Sequence, residues 1–159
     1  MLIRSLFLLL VKESIEDSLL NSVSALIKAN ANLLPDKNNA NLTHADYDPA
    51  NILVRQIGDK WKIAAILDWE FALASTYLLD MGMMLRYSHR LPDYYEESFI
   101  AGIQSKGFQL PSQWKKQAKL MDLLCLLQLT QFNPVAERPN LNRDVVSLIA
   151  DSVNNWDQW

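Results

Sequence analysis

The apolar positions of the chain switch between a helical and a strand-like spacing. Between Glu13 and Lys28 they recur at the interval of an amphipathic helix with one wet face. The run ANANLLPDKNNAN, which contains Pro35, predicts a loop over residues 29–41. NILVRQI and WKIAAILD then have the composition of two strands, and the short connection GDK between them predicts a β-hairpin.

The helical spacing returns after the hairpin and predicts four further helices. The first covers LLDMGMMLRYSH, and the second begins near Pro92-Asp93 and ends at Gly107 as a C-cap. The third follows Pro111 with Ser112 as its N-cap, and NRDVVSLIADSVNNW forms the last. The pattern predicts an α+β fold that is mostly α, a helical bundle carrying a small β-hairpin.

Length, composition and charge limit the class of protein. The 159 residues amount to about one domain, and the chain is 50% hydrophobic and 21% charged, as in globular proteins with a core. The net charge of -3 implies no basic face and argues against a nucleic-acid partner. The single cysteine, Cys125, excludes an intrachain disulfide and is predicted to be a buried packing thiol.

The N-terminal sequence MLIRSLFLLLVKESIED contains a short apolar run from Ser5 to Val11. No small-residue cleavage site follows it, and the run is too short to span a bilayer. We therefore interpret it as the start of a buried helix or strand. The expectation is a cytoplasmic protein without membrane association.

The loop HADYDPAN carries the candidate chemistry. Asp46 precedes Asn51 by the spacing of the kinase catalytic loop H-R-D-x-x-x-x-N, in which the aspartate accepts a hydroxyl proton and the asparagine binds Mg²⁺. Asp68 ends the returning strand, and antiparallel pairing should bring it beside Asn51. Both side chains offer the hard oxygen ligands that Mg²⁺ prefers. Aspartate and asparagine also favour loops in general, but their combination with the hairpin favours the catalytic interpretation.

The motif HADYDPANILV followed by AAILDWEFA resembles the aminoglycoside phosphotransferase family, kin of choline kinase and other small-molecule kinases with a protein-kinase-like fold. The family pattern reads H-G-D-x-x-x-x-N, an apolar strand, I-D-[WF]-[EG] and then G-D-P-x-x-D. The likeness is strong over about residues 40–90. It implies transfer of a phosphoryl group from ATP, or another nucleoside triphosphate, to the hydroxyl of a small molecule, with Mg²⁺ as cofactor.

The resemblance also implies roles for single residues. Asp46 would be the catalytic base, Asn51 and Asp68 the metal ligands, and His44 and Asp80 the structural support of the loop. Three positions depart from the family pattern. Ala45 replaces a glycine, Asp48 stands where a histidine is common, and STYLLD replaces G-D-P-x-x-D, which brings the local turn into question.

The nucleotide lobe of such kinases has no counterpart in this sequence. The four glycines, at positions 58, 82, 102 and 107, are too far apart for a phosphate-binding loop, and no strand with a V-A-I-K-like lysine precedes the catalytic loop. The expectation is one C-terminal lobe over residues 1–159, with the loop and metal hairpin at 43–70 and a helical part at 76–159. Such a lobe should show little or no turnover alone.

Two other functions stay open at this point. The chain could be a non-catalytic remnant or a helical binding module that retains the kinase loop as a scaffold. It could also be a plain helical binding domain with no nucleotide history. A metal response that depends on Asn51 and Asp68 separates the phosphotransferase from the last of these.

The acceptor and the oligomeric state are less constrained. Asp93, Glu96 and Glu97 at the start of the second predicted helix would suit a cationic acceptor. Carboxylates are also favoured at any helix N-terminus, so the acceptor stays open. Without a covering lobe, the apolar segment MLIRSLFLLLV would be exposed and is predicted to promote self-association.

Overall fold

The computed structural model describes residues 15–36, 38 and 40–159, which form two compact units. One contains the described residues up to Leu34 together with Lys115–Trp159, and the other contains Pro35–Trp114. The fold is α+β and mostly helical, as predicted. The helices are α1 (Asp17–Ala29), α2 (Tyr77–Met84), α3 (Tyr94–Gln104), α4 (Trp114–Phe132) and α5 (Pro139–Asn154), and the strands are β1 (Asn41–Thr43), β2 (Ile52–Ile57), β3 (Lys60–Ile66) and β4 (Leu73–Ser75).

Two predictions concern the start of the chain and its relation to membranes. The apolar segment on which the prediction of self-association depends lies in residues 1–14, outside the described residues. Within the described part of the chain, every helix is too short or too polar to cross a bilayer.

The first unit is helical and consists mainly of α1, α4 and α5. Leu20 and Val23 are the buried residues of α1, as its amphipathic spacing predicts. Leu33, Leu120 and Trp156 form a buried cluster within this unit. Because these three side chains come from distant parts of the sequence, they connect both ends of the described chain in one core.

The turn between α4 and α5 is closed by hydrogen bonds inside the same unit. The Asn142 side-chain amide donates to the Asn133 carbonyl at 3.0 Å, and the Arg138 guanidinium donates to the Asn133 side-chain oxygen at 3.1 Å. Asn133 and Asn142 are both buried. Their polar groups are therefore paired, as buried polar groups must be.

The second unit contains two antiparallel strand pairs. The hairpin β2–β3 is the predicted one, and Ile52 pairs with Ile66 at its base. Its two-residue turn begins with Gly58 at φ 60°, a backbone conformation that glycine adopts without strain. The second pair, β1 with β4, brackets the loop and the hairpin, with Asn41 opposite Ser75 and Thr43 opposite Leu73. This pair was not predicted.

Two of the predicted helices end earlier than their sequence pattern. LLDMGMMLRYSH forms α2 only as far as Met84, and a 3-10 turn over Ser88–Arg90 follows separately. α3 ends at Gln104, and the predicted C-cap, Gly107, lies three residues later with φ 79°. Gly107 therefore has the left-handed conformation of a capping glycine but acts beyond the last turn of the helix.

The third and fourth of these helices begin one and three residues away from their predicted starts. α4 begins at Trp114, two residues after the proposed cap Ser112. α5 begins at Pro139 rather than at Asn142, and proline is well suited to the first turn because its fixed φ matches the helix. Cys125, predicted to be a buried packing thiol, is partly buried on α4.

Candidate active site

The loop between β1 and β2 is held by one carboxylate from α2. The two Asp80 oxygens accept hydrogen bonds from the backbone N–H groups of His44 and Ala45, at 2.8 and 2.9 Å. Asp80 lies in the first turn of α2, and the Thr76 hydroxyl caps that helix by accepting from the Leu78 N–H. The sequence STYLLD thus contains the end of β4, at Ser75, and the capped start of α2 directly after it. It does so without the glycine and the proline of the family pattern.

His44 links this loop to the end of the hairpin. Its Nε2 is 2.7 Å from the Leu67 carbonyl oxygen, and its Nδ1 accepts from the Asp46 backbone N–H at 3.3 Å. Because a carbonyl can only accept, Nε2 carries the hydrogen, and the ring is the neutral Nε2–H tautomer. The side chain is 2% exposed. A buried ring with both nitrogens used in this way has a supporting position rather than one open to a substrate.

Asp46 and Asn51 contact each other directly. The Asn51 Nδ2 donates to the Asp46 carbonyl oxygen at 2.9 Å and to its carboxylate oxygen Oδ2 at 3.0 Å. This contact fixes the orientation of the Asn51 amide, with its nitrogen toward Asp46. The amide oxygen, Oδ1, is then the atom that remains for a cation.

Asp68 lies at the opposite side of the hairpin base from Asn51. The Leu67 N–H donates to the Asn51 carbonyl oxygen at 2.8 Å, which brings the two ends of the hairpin together. Asp68 has φ 63° and ψ 54°, and its carboxylate does not cap the 3-10 turn, Trp69–Phe71, that it precedes. Aspartate is one of the few residues that tolerate this left-handed conformation, which turns the chain away from the strand.

The two departures inside the loop have different structural consequences. Ala45 has φ 63°, a left-handed conformation in which a Cβ atom is strained and a glycine is not. Asp48 instead contributes a favourable contact, because its carboxylate accepts from the Ala50 N–H at 2.8 Å and caps the single 3-10 turn Pro49–Asn51. Asp48 therefore helps to orient the turn that carries Asn51.

The predicted acceptor carboxylates lie at the start of α3. Asp93 precedes the helix, and Glu96 and Glu97 lie in its first turn. Burial, and then the charges of Asp48 and Tyr47, raise the pKa of the Tyr95 phenol, so Tyr95 at this end of α3 lies within electrostatic range of the loop. The Tyr95 hydroxyl donates to the Met84 carbonyl at 2.9 Å, which attaches α3 to the end of α2.

Two aromatic residues in and next to the loop and the hairpin end were not singled out in the sequence. The Trp69 ring packs against the His44 ring with centroids 4.6 Å apart, and its indole N–H donates to the Ile66 carbonyl at 2.9 Å. The Tyr47 ring lies 6.0 Å from that of His44 on the loop itself. The aromatic position of the family pattern I-D-[WF] indicates Trp69 in the sequence. Only the fold shows that its ring packs against His44.

The residues at the hairpin base fit a magnesium ion by their chemistry. The Asn51 amide oxygen and the Asp68 carboxylate are both oxygen donors, and Mg²⁺ in proteins commonly takes one or two such ligands and completes its shell with water and phosphate. Within the described part of the chain, no group of three or more histidine, cysteine or acidic side chains is placed to hold a metal ion. At the hairpin base, Asn51 and Asp68 would therefore be the protein ligands of such an ion.

Comparisons with known proteins agree with this geometry. A family model described as "Phosphotransferase enzyme family" matches residues 7–114, more than half of the chain. The match includes the whole unit formed by Pro35–Trp114, which contains the loop, the hairpin, α2 and α3. No curated protein and no solved structure matched.

Proposed function

We propose a function for this chain from the premise that it belongs to the phosphotransferase enzyme family. The proposed reaction is the transfer of the terminal phosphoryl group of ATP, or of another nucleoside triphosphate, to a hydroxyl group of a small molecule. The observation that carries the proposal is the double hydrogen bond from the Asn51 amide to Asp46. It holds a carboxylate and an amide oxygen in a fixed relation, as positioning catalysis requires.

In this proposal Asp46 is the catalytic base. Its carboxylate would orient the acceptor hydroxyl and take its proton as the oxygen attacks the phosphorus. The Asn51 amide supports this role, because the hydrogen bond from its Nδ2 holds the Asp46 carboxylate in one orientation. A base held in one rotamer before the substrate arrives needs no reorientation during the reaction.

Asn51 and Asp68 are the proposed ligands of Mg²⁺. When bound there, the ion would neutralise phosphate charge and fix the direction of the transferring group. Two arguments support these ligands: the orientation of the Asn51 amide, and the Asp68 carboxylate that leaves the following turn uncapped. The backbone bond between Leu67 and Asn51 holds the two ligand-bearing residues at the same end of the hairpin.

His44 and Asp80 are proposed as supporting residues. Asp80 fixes the backbone directly before Asp46, and His44 connects that backbone to the strand end that precedes Asp68. Loss of either contact would move the base relative to the metal ligands. Asp93, Glu96 and Glu97 are proposed as acceptor-binding residues, since the start of α3 lies within electrostatic range of Asp48 of the loop.

The metal part of the proposal is tested with Mn²⁺, which replaces Mg²⁺ and broadens NMR signals of nearby nuclei. In the full chain with a nucleoside triphosphate, Mn²⁺ should broaden the signals around Asn51 and Asp68 first. Asp68→Asn should weaken Mn²⁺–nucleotide binding at least about tenfold. Asp59→Asn, in the turn at the far end of the same hairpin, is the matched control and should bind as the wild type does. Equal binding by both variants would contradict the metal site.

The catalytic part is tested by phosphoryl transfer to a panel of amino sugars and amino alcohols. Where the wild type transfers phosphate, Asp46→Asn should lower kcat by about 10²- to 10⁴-fold, because it removes a general base, while Mn²⁺–nucleotide binding persists. Metal and nucleotide binding by a wild-type chain that transfers nothing would favour the alternative, a non-catalytic module that keeps the kinase loop as a scaffold.

A further inference from the structure

A cavity of about 310 Å³ lies in the Pro35–Trp114 unit, next to the loop anchor. Its size falls at the lower end of the range of small-molecule pockets. The loop contributes Tyr47, α2 contributes Tyr77, Asp80 and Met81, α3 contributes Phe99, and Phe108 follows the helix. The cavity is therefore formed by the elements that hold the catalytic loop in place.

The walls of this cavity are aromatic and apolar. Among the lining residues, Met81 is 4% exposed and Phe108 is 45% exposed. The Phe108 ring meets the Tyr77 ring edge-on, with centroids 5.0 Å apart and an interplanar angle of 80°. The two rings therefore offer a face and an edge to an aromatic ligand. Aromatic rings prefer offset-stacked or edge-to-face contacts of this kind.

The electrostatics of the cavity select among aromatic molecules. Burial raises the pKa of the Tyr47 phenol, and the Asp80 carboxylate raises it further, so Tyr47 is a neutral hydrogen-bonding group at neutral pH. Asp80 itself is negative, and its partners in the loop are two neutral backbone N–H groups. An anion in the cavity would lie against this carboxylate, in surroundings that screen charge poorly. The charge therefore disfavours anionic ligands.

We propose that this cavity binds a small aromatic molecule without negative charge, and that the bound ligand reinforces the contact of Asp80 with the loop. The walls supply stacking surface, the phenol groups of Tyr47 and Tyr77 supply polar contacts, and the volume suits one or two fused rings. Because Asp80 holds the N–H groups of His44 and Ala45, a ligand that packs against it limits the opening of the loop. This site does not require phosphoryl transfer.

The probe is indole-3-carboxamide, and its isosteric anion, indole-3-carboxylate, is the matched control ligand. Each is titrated into the full chain and followed through the backbone NMR signals. The carboxamide should shift signals around Tyr47, Asp80 and Phe108 with saturation, and the carboxylate should bind at least about tenfold more weakly. Equal binding of the two, or shifts that do not saturate, would overturn the proposal.

Variants locate the site. Ile103 of α3 also lines the cavity, and Ile103→Trp should fill it and abolish carboxamide binding. Ile63→Trp, at a 60% exposed position of the hairpin, is the control and should leave binding unchanged. Phe108→Ala, at a 45% exposed lining position, serves where Ile103→Trp does not fold, and should weaken binding at least about fivefold. Unchanged binding in a folded Ile103→Trp or in Phe108→Ala would overturn the assignment.

The link to the loop has its own measurement. With the cavity saturated by the carboxamide, hydrogen exchange of the His44 and Ala45 amides should slow at least about twofold, while amides of the exposed hairpin stay unchanged. Exchange that stays the same at His44 and Ala45 would contradict the reinforcement of the Asp80 contact.

Discussion

The loop between β1 and β2 and the hairpin that follows it show opposite relations between polarity and burial. The loop is rich in polar residues, yet Thr43 is 0% and His44 2% exposed. The hairpin is rich in apolar residues, yet Trp61 is 67% and Ile63 60% exposed. Burial in this region therefore follows the hydrogen-bonding network around Asp80 and His44 rather than hydrophobicity.

This difference indicates where the geometry of the candidate site is maintained. Side-chain hydrogen bonds, each of them partly buried, connect the loop to α2 and to the hairpin base. The outer hairpin is held by strand pairing, and an isolated two-stranded pair is only marginally stable. Changes in the loop network should therefore alter stability far more than changes toward the hairpin turn.

The largest effect is expected from Asp80→Ala. Removing the carboxylate leaves the N–H groups of His44 and Ala45 without their acceptors, and we expect the free energy of unfolding to fall by about 2–3 kcal/mol. Urea unfolding followed by fluorescence measures this change. Asp59→Ala, in the hairpin turn, is the control and should stay within about 0.5 kcal/mol of the wild type. Losses of equal size would contradict the comparison between the loop and the hairpin.

The second effect concerns alkaline pH. Burial, and then the Asp80 charge, raise the pKa of Tyr47 above its ordinary value of 10.0. Above that pH the unfolded chain releases the phenol proton while the folded chain still holds it, so stability falls as pH rises toward the folded pKa. The hairpin contains no tyrosine, so the contribution of tyrosine to this loss originates outside the hairpin.

Unfolding by urea between pH 9 and 11 tests this expectation. Tyr47→Phe keeps the ring and removes the titration, so the fall of stability with pH should become shallower. Tyr94→Phe, at a side chain that is 68% exposed, is the matched control and should keep the wild-type slope. A slope that is the same in Tyr47→Phe and in the wild type would show that Tyr47 does not carry the effect.

The local features of this region were predictable from the sequence. The two apolar runs and the short connection GDK predicted the hairpin, and strand pairing then implied that Asn51 and Asp68 are neighbours. In the structure Ile52 pairs with Ile66, and the Leu67 N–H donates to the Asn51 carbonyl oxygen. The family resemblance, confirmed by the match of the family model, supplied Asp80 as a residue of interest. These signals are short-range or belong to a known motif, which is why a single sequence contains them.

The long-range features were not predictable in the same way. β1 and β4 are three residues each and lie about 30 residues apart in sequence, so neither has room for an alternating pattern. The apolar face of the hairpin, with Val54 opposite Ile63, would ordinarily predict burial, but both side chains are exposed. Burial depends on what the rest of the fold brings to a surface, and periodicity contains no information on that.

The replacement of alanine by glycine should change the free energy of unfolding by a smaller amount, with opposite signs in the loop and in the hairpin. Ala45 in the loop has φ 63°, and Ala45→Gly removes the strain of its Cβ, with a net gain of about 0.5–1 kcal/mol after the entropic cost of glycine. Ala65 in the hairpin is extended and pairs with Leu53, so Ala65→Gly should lose about 0.5–1 kcal/mol. Urea unfolding of both variants measures the difference. The same sign at both positions would mean that the Ala45 backbone is not strained in solution.

The smallest effect is expected within the hairpin itself. Arg55 lies directly opposite Lys62 in the strand pairing, and like charges opposite each other destabilise a pair of strands. Lys62→Glu makes this an opposite-charge pair and should stabilise the protein by about 0.2–1 kcal/mol at low salt. Because the pair is exposed, the gain should largely disappear at about 1 M salt, where the screening length falls to about 3 Å.

Lys60→Glu is the matched control for this prediction, since Lys60 lies opposite the uncharged Ile57. It makes the same change of net charge on the same strand, so any general effect of charge appears in both variants. A gain in Lys62→Glu that is absent from Lys60→Glu and sensitive to salt would assign it to the pair with Arg55. An equal response of both variants would mean that cross-strand charge has no part in hairpin stability, and that backbone pairing alone orders the strands beyond the loop.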